Sequence, residues 1–136
     1  MKTINVSAAV ITRSVGVSNE IFIAKRPNHL HKGGYWEFPG GKIQPDETAA
    51  KALARELAEE IGIAVDAERC KFLFPIVWDY PEKQVELNIF LVDEFGGEPE
   101  GLEGQEVKWV RSQDLDQYQF PEANAEIVRW VIENLV

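Results

Sequence analysis

Three glutamates near the middle of the chain, Glu56, Glu59 and Glu60, have the spacing that places carboxylates on one face of an α-helix. On such a face like charges repel by ~0.2–0.5 kcal/mol per pair. In the last turn of a helix the dipole also disfavours anions. A bound divalent cation would reverse both penalties, and carboxylate oxygens suit Mg²⁺ or Mn²⁺. The pattern therefore indicates a metal site. A solvated acidic helix face is the alternative, and these three residues alone do not outweigh it.

The helix that must carry these carboxylates is predicted over Asp46–Ile61. An apolar stripe recurs every four residues, at Ala49, Leu53, Leu57 and Ile61. Gly62 then occupies the position of a C-terminal cap. Before the helix, Gly40 and Gly41 end a short extended piece and would let the backbone approach a metal or a phosphate closely. Arg55 lies beside Glu56, and its partner is either Glu47 across two turns or a neighbouring loop.

The remaining elements alternate between strand-like and helix-like patterns. Strands are predicted at Val6–Thr12, Ile21–Arg26, Trp36–Phe38, Cys70–Asp79, Gln84–Asp93 and Val107–Val110. A helical turn is predicted at Ser112–Gln117, and a final helix at Pro121–Leu135. The connections between the predicted strands are of two kinds, short hairpin-like turns and longer crossovers. We therefore expect an α/β (α+β) fold, with a mixed sheet and helices packed on both faces.

The length of the chain indicates one domain, and its net charge limits the kinds of partner that it could bind. The 136 residues fit a single domain spanning 1–136, and the net charge of −9 argues against binding a nucleic-acid polymer. Cys70, the only cysteine, lies in an apolar stretch and is predicted to be a core thiol. No segment reaches the ~20 apolar residues needed to span a bilayer. We expect a cytoplasmic monomer that binds a small molecule and no membrane.

The segment from Gly41 to Ile63 resembles the signature of the Nudix hydrolase superfamily, with no departure from its spacing. The matching positions are Gly41, Glu47, Arg55, Glu56, Leu57, Glu59, Glu60, Gly62 and Ile63. The resemblance implies an α/β/α sandwich with a mixed β-sheet, in which this segment forms a catalytic loop–helix–loop. It also implies hydrolysis of a nucleoside diphosphate linked to another moiety.

Outside this segment the chain is similar to the MutT-type 8-oxo-dGTP diphosphatases. Shared pieces include Ile23–Arg26, Glu37–Lys42, Tyr80-Pro81, Glu103–Gln105 and Phe120–Asn124, whereas Glu82-Lys83 stands where Asp-Arg is expected. The implied nucleotide-binding residues are Arg26, His31, Glu37, Phe38, Pro39, Gly40, Tyr80 and Asn124. The implied metal ligands are the Gly40 carbonyl, Glu56, Glu59, Glu60 and Glu103. The implied catalytic set is Arg55 with these four glutamates, with Glu56 the first choice for general base and Glu103 the alternative.

The reaction implied by this similarity is attack of water on the β-phosphorus of 8-oxo-dGTP, with Mg²⁺ as cofactor and Mn²⁺ as a substitute. The products are 8-oxo-dGMP and pyrophosphate, which would remove an oxidised nucleotide before DNA replication. Two alternatives stay open. One is a Nudix hydrolase acting on ADP-ribose, a dinucleotide or an ordinary nucleoside triphosphate. The other is a module that senses a nucleotide without cleaving it. Each binding residue taken singly is also of a type common on surfaces or in cores.

Overall fold

One mixed β-sheet forms the centre of the chain in a computed structural model that describes residues 2–30 and 32–136. Its strands are β1 (Lys2–Val15), β2 (Ser18–Lys25), β3 (Trp36–Glu37), β4 (Gly40–Lys42), β5 (Lys71–Asp79), β6 (Lys83–Val92) and β7 (Val107–Arg111). The helices are α1 (Ala49–Ile61) and α2 (Ala125–Asn134). Short 3₁₀ turns cover Ala67–Arg69, Ser112–Gln117 and Glu122–Asn124.

The strand order confirms a mixed sheet. Hydrogen-bonded neighbours follow the path β3-β2-β1-β6-β5, with β4 beside β1 and β7 beside β2. β1 and β6 run parallel, from the pair Lys2 and Lys83 to the pair Ile11 and Val92. The other strand pairs are antiparallel. β1 therefore joins all parts of the sheet, because β4 pairs with its middle and β2 with its end.

Helices cover both faces of the sheet, as the sequence predicts. Because successive side chains of a strand point to opposite faces, Ala8 and Val10 enter one core while Ala9 and Ile11 enter the other. The first core is closed by α2 through Ile127 and Val131. The second is closed by the buried stripe of α1, made of Leu53, Leu57 and Ile61. The result is the expected α/β/α sandwich.

Helix α1 begins at Ala49, three residues after the predicted start. The hydroxyl of Thr48, which is in an extended conformation, accepts a hydrogen bond from the Lys51 N–H at 3.2 Å and so caps the helix. The residues before it form a turn closed by the Glu47 N–H, which donates to the Gln44 carbonyl. The C-terminal end is as predicted, because Gly62 has a φ of 74° in the left-handed region that glycine favours.

Four other predictions need correction. Strand β4 is absent from the sequence prediction, and β1 extends beyond Val6–Thr12 at both ends. The final helix begins as a 3₁₀ turn, in which the Asn124 N–H donates to the Pro121 carbonyl at 2.9 Å, and becomes α-helical only at Ala125. Cys70 is half-buried at the rim of a core and not within it, because it follows the Ala67–Arg69 turn.

Neither helix in the described part of the chain is long and apolar enough to cross a membrane.

Candidate active site

Helix α1 presents its three glutamates differently. The side chain of Glu56 is 17% exposed and that of Glu59 is 58% exposed. Glu60 is partly buried and lines a cavity beside the helix. The shared acidic face predicted from spacing is therefore divided, with Glu56 and Glu60 turned towards the protein and Glu59 towards solvent.

Glu60 lies where several acidic side chains converge. Burial first, and then the negative charges of Glu56, Glu103 and Glu37, together raise the pKa of its carboxyl to about 8. A backbone hydrogen bond from Gly40 acts in the opposite direction and lowers this pKa. Without a cation, the site thus favours a proton on Glu60 near neutral pH.

Arg55 connects the helix with the loop that precedes it. Its guanidinium donates two hydrogen bonds to the Glu47 carboxylate, at 2.7 and 2.8 Å, and one to the Lys42 carbonyl at 3.1 Å. Glu47 is therefore the partner of Arg55, and it lies in the turn before α1 and not two turns away on the helix. A further hydrogen bond of 2.9 Å holds Glu56 in place. These hydrogen bonds lower the pKa of Glu47 to about 2 and raise that of Arg55.

Glycine at position 41 leaves space for the Glu56 carboxylate. A Cβ atom at Gly41 would overlap that carboxyl group, so any larger residue would displace it. The strand behind the loop is fixed as well, because the buried hydroxyl of Ser7 donates to the Ala49 carbonyl at 2.7 Å. Ser7 also pairs with Gly41 in the sheet. The loop and the start of α1 are therefore held against the same strand.

Two cavities flank an ion pair between Arg26 and Glu37, whose side chains are 2.7 Å apart and line both. We call the first the apolar pocket. It has a volume of about 270 Å³ and is lined by Val6, Phe38, Leu87, Tyr80 and Asn124, among others. We call the second the charged pocket. It has a volume of about 400 Å³ and is lined by Lys25, His29, Glu60, Glu103 and Glu106, among others.

Most of the sequence-predicted site residues meet at these cavities. Glu37, Phe38, Gly40, Tyr80, Asn124 and Arg26 border the apolar pocket, whereas Glu60 and Glu103 border the charged one. Among the described residues, four line neither cavity: Pro39, Arg55, Glu56 and Glu59. Pro39 is buried and its carbonyl accepts a hydrogen bond from the Ala9 N–H at 2.9 Å. His31 lies outside the described residues.

Asn124 lies between Pro121 and α2, at the edge of the apolar pocket. Its side chain makes no capping hydrogen bond to the described backbone of α2. The amide is thus not used to begin the helix. Nearby, the buried ring of Phe38 stacks on Phe120, with centroids 5.0 Å apart, and forms a fixed apolar wall.

Sequence reasoning missed Lys25 and His29, which line the charged pocket. The family resemblance includes Lys25 within the matching piece Ile23–Arg26 without giving it a role, and in the following loop it points to His31. A weak signal was available, because Lys25 directly precedes Arg26 at the end of a strand.

Residues 8–130 match the profile of the NUDIX domain. The chain belongs to the Nudix family. It is 43% identical over 129 residues to the 8-oxo-dGTP diphosphatase of Haemophilus influenzae, covering 93% of this chain and 90% of that protein. It is 35% identical over 127 residues to the CTP pyrophosphohydrolase of Escherichia coli, covering 93% of this chain and 88% of that protein.

The solved structures agree. A structure from a study of MutT from Aliivibrio salmonicida and Vibrio cholerae has a TM-score of 0.82 and 44% sequence identity, covering 97% of this chain and 98% of that one. This likeness confirms the Nudix-type sandwich. With the curated relatives, it shows that the chain is a Nudix hydrolase.

Nudix hydrolases generally need a divalent metal ion, and the residues present fit one. In residues 2–30 and 32–136, no three acidic, histidine or cysteine side chains are arranged as a finished metal site. Yet Glu60 is partly buried among the charges of Glu56, Glu103 and Glu37, an arrangement that a cation stabilises. The donor set consists of oxygen atoms, as hard cations prefer. Arg55 donates to one oxygen of the Glu56 carboxylate, Oε1, and a carboxylate has a second acceptor oxygen for an ion.

Proposed function

We propose that this Nudix hydrolase converts 8-oxo-dGTP to 8-oxo-dGMP and pyrophosphate with Mg²⁺ as its cofactor and Mn²⁺ as a substitute. The observation that carries the proposal is the position of Asn124, at the edge of an apolar pocket that adjoins the glutamates, with a side chain that does not cap α2 within the described residues. The 8-oxo-dGTP diphosphatase of Haemophilus influenzae, which matches nearly the whole chain, supports the same substrate. The role in the cell would be removal of an oxidised nucleotide from the precursor pool.

Asn124 offers the hydrogen-bonding groups that distinguish the oxidised base. Guanine presents N7 and O6 as acceptors on its major-groove edge, and the 8-oxo form carries a hydrogen on N7. An Asn side chain has one acceptor oxygen and a donor amide. It therefore accepts from N7–H and donates to O6 in the oxidised base. With normal guanine the oxygen of Asn124 would face N7, and a buried acceptor left unpaired costs ~1–3 kcal/mol.

The apolar pocket provides the surface on which a base would lie. Phe38 is buried and fixed by its contact with Phe120, while Val6 and Leu87 add aliphatic surface from β1 and β6. Burial of an aromatic ring against such groups supplies hydrophobic stabilisation, and the polar edge of the base is left to Asn124. The apolar walls would therefore supply affinity for the base, and Asn124 would supply selectivity for its oxidised form.

Glu60, Glu56 and Glu103 would hold the metal, with the Gly40 carbonyl, and Glu59 would join from the exposed side of α1. When bound, the ion neutralises phosphate oxygens and lowers the pKa of a coordinated water. Arg55 keeps Glu56 oriented through its 2.9 Å hydrogen bond, and Glu47 keeps Arg55 oriented in turn. The two residues are thus placed to hold the geometry of the carboxylates.

Glu56 is our first choice for the base that accepts the proton of water, and Glu103 is the alternative. Glu56 is the better fixed of the two, because Arg55 and the space at Gly41 define its position. Glu103 lies in an exposed loop, where its own N–H donates to the Gln105 side chain at 2.9 Å. In the reaction, the water oxygen bonds to the β-phosphorus and the bond from that phosphorus to the α–β bridging oxygen breaks. The bridging oxygen leaves with 8-oxo-dGMP.

A nucleotide, and not a nucleic-acid polymer, is the substrate that the charge distribution favours. The net charge is −9, and the basic residues beside the pockets are few. Phosphate binding along a polymer needs an extended basic surface, whereas a single polyphosphate needs only local cations. We also propose that the protein is a monomer and that it acts in the cytoplasm.

CTP is the second candidate substrate, because the CTP pyrophosphohydrolase of Escherichia coli matches 93% of the chain at 35% identity. Cytosine also offers a donor and an acceptor to an amide side chain. The test is pyrophosphate release from 8-oxo-dGTP, CTP and ADP-ribose, with Mg²⁺ and product identification. We expect 8-oxo-dGTP to have the highest kcat/KM. A higher value for CTP or ADP-ribose would reassign the substrate, and binding without turnover would indicate a sensing module.

A further inference from the structure

We propose that the charged pocket is a binding subsite for the two distal phosphates of a nucleoside triphosphate, with Lys25 and His29 as their protein contacts. The inference rests on the proposed function, because it assumes that the base occupies the apolar pocket. It adds a recognition element for the pyrophosphate product that the metal-binding glutamates do not provide.

Lys25 and His29 both lie at the charged pocket, where they could contact a phosphate group. Lys25 is the last residue of β2, and its backbone N–H donates to the Glu106 carbonyl at 2.9 Å, which fixes the strand end beside the loop of Glu103. Its ammonium group is 3.8 Å from the Glu106 carboxylate, a separation long enough to leave its donors for a ligand. His29 lies in the following turn and lines the same cavity.

The two cavities adjoin each other, so one nucleotide could occupy both. Arg26 and Glu37 line both cavities, so their ion pair marks the boundary. Glu60, which lies among the charges of Glu56, Glu103 and Glu37, lines the charged pocket. A nucleotide with its base beside Asn124 directs its phosphates towards this boundary. The part of a triphosphate beyond the boundary can then enter the charged pocket, where a metal ion held by Glu60 would meet it.

The side chains that line the charged pocket suit a polyphosphate with a bound metal ion. The charged pocket combines four carboxylates, on Glu37, Glu60, Glu103 and Glu106, with the cations of Lys25 and Arg26. Such a surface offers little to a base, which needs apolar contacts. It suits a metal-bound polyphosphate, because carboxylates take the cation while basic side chains donate to the remaining phosphate oxygens. Free pyrophosphate would be repelled, so binding there requires a divalent cation.

Each of the two reaction products tests one pocket: pyrophosphate tests the charged pocket, and 8-oxo-dGMP tests the apolar pocket. We would titrate the full chain with inorganic pyrophosphate and, separately, with 8-oxo-dGMP, each with excess Mg²⁺, by isothermal calorimetry. The variants are Lys25→Gln, His29→Gln and the double variant. Lys71→Gln is the matched control, since this lysine, the first residue of β5, pairs with Asp93 and lines neither pocket among the described residues. Thermal unfolding confirms that each variant is folded.

We expect the double variant to weaken pyrophosphate binding by about ten-fold or more, which corresponds to loss of one charge-assisted hydrogen bond. Binding of 8-oxo-dGMP should change less than about two-fold, and Lys71→Gln should affect neither ligand. Unchanged pyrophosphate binding in the double variant would overturn the proposal. So would an equal loss for both ligands, or no binding of pyrophosphate to the wild type.

Failure of the proposed function gives a different result. If pyrophosphate binds and is weakened by the double variant while 8-oxo-dGMP does not bind the wild type, the subsite stands and the assignment of the base is wrong. If 8-oxo-dGMP binds and pyrophosphate is unaffected by the variants, the substrate assignment stands and the subsite is wrong.

Discussion

The guanidinium of Arg55 and the carboxylate of Glu47, eight residues apart, are joined by two hydrogen bonds of 2.7 and 2.8 Å. The pair ties the turn before α1 to the middle of the helix, and through Arg55 it also orients Glu56. Only an arginine presents this two-pronged geometry, since an ammonium group is a point charge. The side chain of Glu47 is only 15% exposed, so solvent screens the pair little.

Glu47→Gln should lower the melting temperature at neutral pH and reduce kcat roughly ten- to a hundred-fold, because the carboxylates of α1 lose their alignment. The pKa of Glu47 is lowered to about 2, so its stabilisation is complete above its unfolded value of 4.5 and is lost as pH falls towards 2. The stability difference between wild type and variant should therefore shrink on acidification. Thermal unfolding from neutral to acidic pH measures this. Glu68→Gln, at an exposed position on a 3₁₀ turn, is the control, and a pH-independent difference would contradict the account.

Glu60→Gln should remove most hydrolysis while the fold survives, and its effect should exceed that of Glu59→Gln. Glu60 is partly buried among three other carboxylates, whereas the Glu59 side chain is 58% exposed. Without metal, the variant should be as stable as the wild type or more stable, since repulsion is relieved. Initial rates at saturating Mg²⁺ and unfolding in a chelator provide the two readings. Near-wild-type activity would overturn the role assigned to Glu60.

Mg²⁺ should raise the melting temperature of the free protein, and more at alkaline than at acidic pH. Burial and neighbouring charges raise the pKa of Glu60 to about 8. Its contribution to stability is thus complete below the unfolded value of 4.5 and is lost as pH rises through about 8. A cation replaces the proton and restores that loss by binding only the native state. Melting curves with Mg²⁺ and with chelator at several pH values test this. An effect of Mg²⁺ that is largest at acidic pH would contradict it.

The fold was largely predictable because its elements follow simple periodicities. The stripe of Leu53, Leu57 and Ile61 predicts α1, and its three members are fully buried. Strand β4 was not predictable, since Gly-Gly-Lys has no apolar alternation and exists as a strand only through pairing with β1. The start of the last helix was misplaced because Pro121 suits both a 3₁₀ and an α-helical turn.

The site was predictable as a set of residues, but not in its arrangement. At about 100° per residue, Glu59 and Glu60 lie on opposite sides of Glu56 around the helix, and only the packing of α1 decides which one faces inward. The position of Lys25 before Arg26 is only a weak signal and His29 has none, because the charged pocket is assembled from segments far apart in the chain. Such juxtapositions depend on topology, which sequence periodicity does not encode.

Asn124→Ala should reduce selectivity for 8-oxo-dGTP over dGTP by roughly ten- to a hundred-fold, as expected for a lost bidentate base contact of ~1–3 kcal/mol. The loss should appear in kcat/KM for the oxidised nucleotide, while dGTP hydrolysis changes little because Glu56 and Glu60 are untouched. Steady-state kinetics on both substrates at one Mg²⁺ concentration, with a check of folding, provide the test. An equal fall for both substrates would make Asn124 a structural residue of α2.

The most direct test of the central claim is the ratio of kcat/KM for 8-oxo-dGTP to that for dGTP in the wild-type chain, with Mg²⁺ and with the products identified. The mismatch of normal guanine with Asn124 predicts a ratio of at least about ten, with pyrophosphate and 8-oxo-dGMP as the only products of the oxidised nucleotide. A ratio near one, or release of inorganic phosphate in place of pyrophosphate, would contradict the account.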